Sequence, residues 1–384
     1  MKKNKEHIVQ PLKVVILGGG YAGLSALITL RKQSPDTVIT LIDPRPHHLI
    51  ITRLHETVHR PLDSIRIAYS ELAKRFNFEH VQQSLSINES LLQHWQNERI
   101  IKLESGELPF DYLIIAVGAA NSGTENDDPE IFDLNKLTRQ SAAQRLEQFI
   151  AEPSVEKPVI NIVGAGPTGI QFVFEIDHIL KQVHADYQLN IIDGHARLLK
   201  AFPRAVGDYV QKRLVEKNIK LFSNAFYSGI QSGALILKDR QTDQPTELPK
   251  GLTFLFLGKA PDIMLHANSS GQVILNKAVL TRIFTAGDCS HFDEMGTNGM
   301  TSQAALRKGR SVAKNLLLHA GLIRFCLPYM HQDIGYLLSL GPGDAVGWVA
   351  RKATIISGLP AYVAKEGIEL QYDLLLSGID SYLP

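Results

Sequence analysis

The chain has 384 residues, 44% hydrophobic and 21% charged, an ordinary globular composition that excludes disordered, collagen-like and coiled-coil classes. With 40 Lys and Arg against 39 Asp and Glu the net charge is +1, so no whole-molecule field draws the protein to nucleic acid. Its two cysteines, Cys289 and Cys326, are too few for a disulfide scaffold or a Cys-rich metal site, and the length fits two or three domains.

A basic start precedes an apolar run that ends in glycines at Gly18, too short for a signal peptide. No uncharged stretch reaches the roughly 18–20 apolar residues of a membrane span. The longest, Leu316 to Tyr329, is broken by His319 and Arg324. The reading is a cytoplasmic protein, or one peripheral on the inner face of the cytoplasmic membrane.

Lys13-Val-Val-Ile-Leu17 reads as a strand, Gly18-Gly-Gly-Tyr-Ala-Gly23 as a turn, and Leu24 to Lys32 as a helix. Val38 to Asp43 is a second buried parallel strand ending in a carboxylate. Strand, Gly-x-Gly-x-x-Gly, helix, strand and acid form the dinucleotide-binding fingerprint in its required context. Gly18 permits the tight turn, Gly20 lets the backbone approach a pyrophosphate, and Gly23 lets helix and strand pack closely. The helix N-terminus offers free N–H groups, and Asp43 can accept from a ribose hydroxyl.

The pattern returns. Pro158 to Val163 is a strand, Gly164-Ala-Gly166-Pro-Thr168-Gly169 a turn, and a helix runs to about Val183. Tyr187 to Asp193 is the next strand, again ending in an acid. Two fingerprints mean two dinucleotide sites. Asp193 would repel a 2′-phosphate and favours NAD(H), whereas Arg197 nearby is the counter-signal for NADP(H).

Between and after them, Glu107 to Ala119 is a turn and a buried strand ending in small residues, which let backbone approach a flat ligand. Phe254-Leu-Phe-Leu-Gly258 repeats that form. Ile283 to Cys289 delivers Asp288 at a strand tip, and a helix follows from about Thr301 to Ala320.

Two fingerprints, the strand ending Ala116-Val-Gly118 and the late Thr285-Ala-Gly-Asp288 resemble the flavin-dependent pyridine-nucleotide reductases, over roughly residues 10–320. Within that group Val15 to Leu24, Gly164 to Ile170 and Met300 to Ala305 with Gly309 are similar to type II NADH:quinone oxidoreductases. So are the late stretches Leu337 to Gly347 and Ser357 to Lys365. The resemblance implies an α/β fold with two Rossmann-like domains and a small C-terminal α+β domain. The FAD domain is discontinuous, about 1–125 and 253–325, the NAD(H) domain is 126–252, and 326–384 shapes an acceptor site or a homodimer contact.

On this resemblance FAD lies on Gly18, Gly20, Tyr21, Ala22, Gly23 and Asp43, with Ala116 and Gly118 backbone-close and Asp288 beside the ribityl–pyrophosphate. NADH lies on Gly164, Gly166, Thr168, Gly169, Asp193 and Gly258. Gln303 falls where the family has a glutamine near flavin and quinone entrance. Gln171 stands where the type II enzymes usually carry glutamate, and an amide cannot titrate. Glu175 lies one turn further along the same helix. Gln303, Gln171 and Glu175 are the catalytic candidates, with hydride passing from NADH to the flavin and electrons to a quinone-type acceptor.

Disulfide reductases of the resembled superfamily place a Cys-x4-Cys pair after the first fingerprint, and Pro46 to His55 holds none, so thiol–disulfide chemistry of the glutathione reductase kind is excluded and the sulfide:quinone kind disfavoured. Cys289 reads as a small buried hydrophobe. His47, His48, His55 and His59 read as packed or solvated histidines, because the neighbouring Glu56 points elsewhere on a helix. Leu374-Leu-Leu376 with Ile379, Tyr382 and Leu383 fits an interfacial anchor and a core element equally, and Arg351 and Lys352 near Trp348 tilt it towards a membrane surface. Two other functions stay open: a soluble NADH-dependent reductase of a small electron-carrier protein, and an FAD- and NAD(H)-binding interaction protein of slow turnover, which Gln171 favours.

Overall fold

Lys13–Leu17 and Val38–Ile42 are β-branched runs with four of five residues buried in each, as strands covered on both faces require. They pair in parallel and sit inside an eight-stranded sheet. Across that sheet the order is Ser290–Phe292, Leu265–Ala267, Gln272–Leu275, Ala278–Thr285, Tyr112–Ile115, Lys13–Leu17, Val38–Ile42 and Glu79–Val81. The structure is a computed structural model and describes residues 10–121, 128–152, 157–293, 298–326 and 335–382.

A second sheet has five parallel strands, ordered Ile131–Asp133, Leu252–Leu255, Val159–Val163, Gln188–Ile192 and Lys220–Phe222. Two asparagines lie fully buried in it. Asn190 Nδ2 donates to Asn161 Oδ1 at 2.9 Å and Asn161 Nδ2 donates to the Lys250 carbonyl at 2.8 Å, so neither is left as a costly orphan. The chain therefore builds the first sheet from residues on both sides of the second. The expected boundary at 125 and 126 falls outside the described residues.

The first fingerprint helix is Tyr21–Gln33, three residues earlier than the sequence reading, because Gly20 holds an extended cap conformation (φ −74°, ψ −168°). Gly23 lies inside this helix, where a Cβ would stand 1.9 Å from the Gly18 carbonyl oxygen. The second fingerprint helix is Pro167–Gln182, with proline at its first turn, where the missing N–H costs nothing. The late helix Ser302–His319 crosses Tyr21–Gln33 closely. A Cβ on Gly309 would lie 2.1 Å from the Ala22 carbonyl oxygen, and Ser25 Oγ donates to the Leu306 carbonyl at 2.7 Å.

Among the antiparallel pieces with no counterpart in the sequence reading, two stand out beside the small pairings of His47–Leu49 with Arg66–Ala68, Ile100–Leu103 with Gly106–Pro109 and Ala120–Asn121 with Lys259–Ala260. One is the short run Leu265–Leu275, which widens the first sheet, and the other is the three-stranded sheet Ala225–Gln231, Ala234–Asp239 and Pro245–Pro249. Leu265–Ala267 and Gln272–Leu275 are only three and four residues long, and the run Ala225-Phe-Tyr-Ser-Gly-Ile-Gln231 does not alternate apolar with polar residues. The C-terminal part is α+β: an antiparallel sheet of Gly335–Ser339, Ala345–Val349 and Ile355–Ser357, then the helix Leu359–Leu376. Leu375 and Leu376 are core, whereas Leu359, Val363 and Leu370 line one exposed stripe with Glu366 among them. Ile379 is also exposed, and Leu383 lies outside the described residues. No helix among the described residues is long and apolar enough to cross a membrane.

Candidate functional site

A cleft of about 1300 Å³ opens at the C-terminal ends of the parallel strands of the first sheet. That is larger than the roughly 300–1000 Å³ of most small-ligand pockets and suits an extended dinucleotide with room beyond it. Gly18, Gly20, Tyr21, Ala22, Asp43, Ala116, Gly118, Asp288 and Gln303 all line it. Gly23 does not; its part is the close approach of helix to strand.

The phosphate turn has a cradle that side chains would fill. A Cβ on Gly18, held at φ +95°, would lie 2.4 Å from the Ala116 carbonyl oxygen, while at Gly20 nothing lies within 4 Å. Gly20 therefore leaves open the space into which the helix N-terminus points, and the residues present fit the pyrophosphate of FAD. Asp43 Oδ2 accepts from the Gly19 amide at 2.7 Å, and Arg45 folds back on the carboxylate at 3.2 Å. Burial alone would raise the Asp43 pKa, but Arg45 and these hydrogen bonds outweigh it and hold the group below the usual carboxylate range.

At the other end the late helix is capped by Thr301, whose Oγ accepts from the Ala304 amide at 3.1 Å, and this aims Ser302 and Gln303 into the cleft. Beneath the Asp288 loop lies Lys308, 1% exposed, which the sequence reading passed over. Its Nζ donates to the Ser290 carbonyl at 2.8 Å and to Ser290 Oγ at 3.0 Å. Burial lowers its pKa to about 8. It ties the loop that carries Asp288 to the helix that carries Gln303.

The second fingerprint lies apart from this cleft. Of the expected NAD(H) residues only Thr168 reaches the cleft lining; Gly164, Gly166, Asp193 and Gly258 follow the C-terminal ends of the five-stranded sheet's inner strands, and Gly169 lies in the helix Pro167–Gln182. Its geometry repeats the first. A Cβ on Gly164 (φ +100°) would lie 2.2 Å from the Phe256 carbonyl oxygen, one on Gly169 would lie 1.9 Å from the Gly164 carbonyl oxygen, and Gly166 has open space. Asp193 Oδ1 accepts from the His195 amide at 2.9 Å and from its ring Nδ1 at 3.1 Å. Arg197 donates to the Lys200 and Phe202 carbonyls and is thus tied to its own loop.

Gln171 lines the cleft and Glu175 does not. Glu175 instead meets His59 Nδ1 at 3.3 Å from its Oε1, with only 7% of its side chain exposed. Burial first, then the nearby Glu56 charge, raise its pKa to about 7 against the pull of Lys365 and Arg60. Burial likewise lowers His59. The two side chains thus lie within ion-pair distance, and burial disfavours the charged form of each. Glu56 faces this same cluster, contrary to the expectation that it points elsewhere, because Ile51–Val58 is a 3-10 helix with a tighter turn than an α-helix. Gln171 Nε2 donates to His55 Nδ1 at 3.3 Å. Among the described residues no group of three or more His, Cys, Asp or Glu has metal-holding geometry. The thiol of Cys289 is fully buried and raised by that burial.

The far wall of the cleft comes from the C-terminal part: Tyr336, Leu337, Lys365, Ile368, Glu369 and Tyr372. Lys365 Nζ meets Glu369 Oε1 at 2.5 Å. The sequence reading gave the region 326–384 this place but named none of these side chains for it.

Two glycine-rich strand–turn–helix units on two sheets, the first opening into a cleft closed by the C-terminal wall, define a two-cofactor oxidoreductase. The pyridine nucleotide-disulphide oxidoreductase family matches residues 12–309, and the chain belongs to that family. It is an FAD-dependent enzyme that uses NADH. The chain is similar to the type II NADH:quinone oxidoreductase of Staphylococcus aureus, 24% identical with 96% of each chain covered. Its fold is similar to that of NDH2 from Plasmodium falciparum in complex with NADH, with TM-score 0.77, 14% identity and 94% of each chain covered. It is also similar to the sulfide:quinone oxidoreductase of Aquifex aeolicus, with TM-score 0.76, 18% identity, 97% of this chain and 93% of that one covered.

Asp193 and the tethered Arg197 give a direct expectation. NADH should bleach the flavin at least about tenfold faster than NADPH at low nucleotide, since a 2′-phosphate would meet a carboxylate. Stopped-flow absorbance at the flavin band checks this, and parity of the two nucleotides would mean that Arg197 leaves its carbonyls to take the phosphate.

Proposed function

We propose that this protein oxidises NADH and passes the electrons to a quinone-type acceptor bound between Gln303 and the C-terminal helix. The observation that carries this reading is the cleft's far wall, in which Tyr336, Leu337, Ile368 and Tyr372 bring aromatic and aliphatic surface beside Lys365 and Glu369, with Gln171 and Gln303 on other parts of the lining. A flat, weakly polar ligand suits such a lining. Residues 1–125 and 253–325 would form the FAD domain, 126–252 the NAD(H) domain and 326–384 the acceptor domain.

Bound FAD supplies the two-electron chemistry, and the chain supplies placement and exclusion of water. Gly18, Gly20 and the N-terminus of Tyr21–Gln33 would hold the pyrophosphate, Asp43 the adenosine ribose and Asp288 the ribityl end. Gly164, Gly166, Gly169 and Asp193 would hold NADH. Gln303 would position the acceptor by a hydrogen bond, and Gln171 would do so from the opposite wall without exchanging a proton. The Glu175–His59 pair would hold the proton that quinol formation takes up. Peripheral contact with a membrane, through the exposed Leu359, Val363, Leu370 and Ile379 beside Arg351 and Lys352, belongs to the same reading.

Gln303→Ala tests the acceptor site. Flavin reduction by NADH should stay near wild type, while reoxidation by a water-soluble ubiquinone or menaquinone analogue slows severalfold, as loss of one positioned hydrogen bond implies. Reoxidation by a ferredoxin- or rubredoxin-like carrier in place of quinone would transfer the reading to a soluble reductase.

Glu175 gives a pH dependence with a definite sign. Its raised pKa of about 7 keeps the acid form below that pH and loses it above. Quinone-driven reoxidation should therefore fall as pH rises through about 7. In Glu175→Gln that inflection should vanish, and an unchanged profile would remove Glu175 from the proton's path.

A further inference from the structure

We propose that flavin binding and the seating of the C-terminal helix are coupled through Tyr372, so that the acceptor wall is completed when FAD enters; this rests on the reading that the Gly18–Gly23 turn holds FAD.

The Gly19 peptide is fixed on both sides. Its N–H donates to Asp43 Oδ2 at 2.7 Å, and its carbonyl accepts from Tyr69 Oη at 2.8 Å and from His48 Nδ1 at 3.0 Å. Asp43 and Tyr69 are neighbours within the first sheet's own unit. His48 differs, because its other ring nitrogen faces the hydroxyl of Tyr372 at 2.8 Å, 324 residues away in sequence.

Burial keeps His48 neutral, with its pKa near 4. The bond from Nδ1 to the Gly19 carbonyl then fixes the proton on Nδ1, so Nε2 accepts and Tyr372 donates. The two bonds point the same way, Tyr372 O–H to Nε2 and Nδ1–H to the Gly19 carbonyl, and polarise one another. Tyr372 also stacks on Tyr21, the first residue of the fingerprint helix, with ring centroids 4.5 Å apart and planes at 23°. Tyr21 Oη meets Thr52 Oγ1 at 3.1 Å. The next residue, Arg53, holds the C-terminal helix through Glu369 at 2.9 Å and Asp373 at 2.8 Å.

Thus one face of Leu359–Leu376 grips the phosphate turn, and the same helix lines the cleft with Lys365, Ile368 and Glu369. A ligand that orders the turn must then order the helix, and the coupling is reciprocal. Tyr372 is a positioning residue that touches the turn only through His48 and Tyr21.

Hydrogen exchange on the full-length protein, stripped of flavin and then titrated with FAD, tests this. Expected is slower exchange across 359–376 as well as across 18–23 on adding FAD. In Tyr372→Phe, which keeps the ring stack and removes the hydroxyl, FAD should still protect 18–23 but protect 359–376 less. Its FAD Kd, from quenching of flavin fluorescence, should rise severalfold, up to about tenfold. A merely structural tyrosine would lower Tm and leave Kd and the exchange coupling at wild-type values. FAD that protects 18–23 in the wild type and leaves 359–376 unchanged overturns the coupling, with no variant required. Failure of the stripped wild type to bind FAD at all would overturn the cofactor site itself, a different and distinguishable result.

Discussion

Gly20→Asp is expected to yield a folded protein that purifies without flavin. The backbone there is extended (φ −74°, ψ −168°), and a Cβ would meet no atom within 4 Å, so the new side chain fits. Gly20 is also the N-cap of Tyr21–Gln33, a position where aspartate is among the favoured residues. The fold is therefore spared while a negative charge enters the space open to a pyrophosphate. A carboxylate within about 4 Å of a phosphate costs on the order of 4 kcal/mol at the effective dielectric of a protein surface, about three decades in affinity. Gly20→Asn has nearly the same shape and caps as well, so comparing the two isolates the charge. The ratio of flavin to protein absorbance, with a thermal melt as the check on folding, decides it. An aspartate variant as yellow as the wild type would move FAD away from this turn.

Gly166→Asp should do the opposite. Gly166 is likewise extended (φ −71°, ψ −179°), unobstructed and the cap of Pro167–Gln182. The protein should stay yellow and be bleached by dithionite as before, yet NADH at low concentration should bleach it about a hundredfold to a thousandfold more slowly, by the same electrostatic argument. Stopped flow over a range of NADH concentrations measures this, and added salt should recover part of the rate. Loss of flavin in Gly166→Asp, with flavin retained in Gly20→Asp, would exchange the two assignments. The pair of variants thus tests the division of labour between the two turns without relying on activity towards any acceptor.

The two turns were legible because each is a local constraint written within about thirty residues. Gly18 and Gly164 need positive φ, and Gly23 and Gly169 sit against a backbone oxygen five residues earlier. Only glycine satisfies such positions, so the residue type itself carries the geometry. Asp43 and Asp193 follow from strand length and register in the same way. These features, with the β-branched buried strands around them, mark the α/β class of fold and the two glycine-rich turns.

Other properties depended on which distant residues meet. Nothing near Tyr372 in sequence marks it as a partner of His48 and Tyr21, and nothing near Arg53 marks Glu369 and Asp373. Lys308 looks like a solvent-facing lysine on an amphipathic helix until Ser290 and Gly287 are folded beneath it. The Leu374–Leu376 run fits core and surface alike on hydrophobicity, and only packing shows Leu375 and Leu376 buried while Leu359, Val363 and Leu370 are exposed. Glu175 shows the same limit. Its place one turn beyond Gln171 is set by the helix period, but its raised pKa comes from burial and from Glu56, and its neighbour within ion-pair distance is His59, both brought in by another segment of the chain. Backbone conformation is decided by near neighbours, so the sequence by itself determined the two glycine-rich turns; burial, pairing and charge environment are sums over groups far apart in the chain, so the far wall of the cleft and the raised pKa of Glu175 were decided only by the tertiary structure.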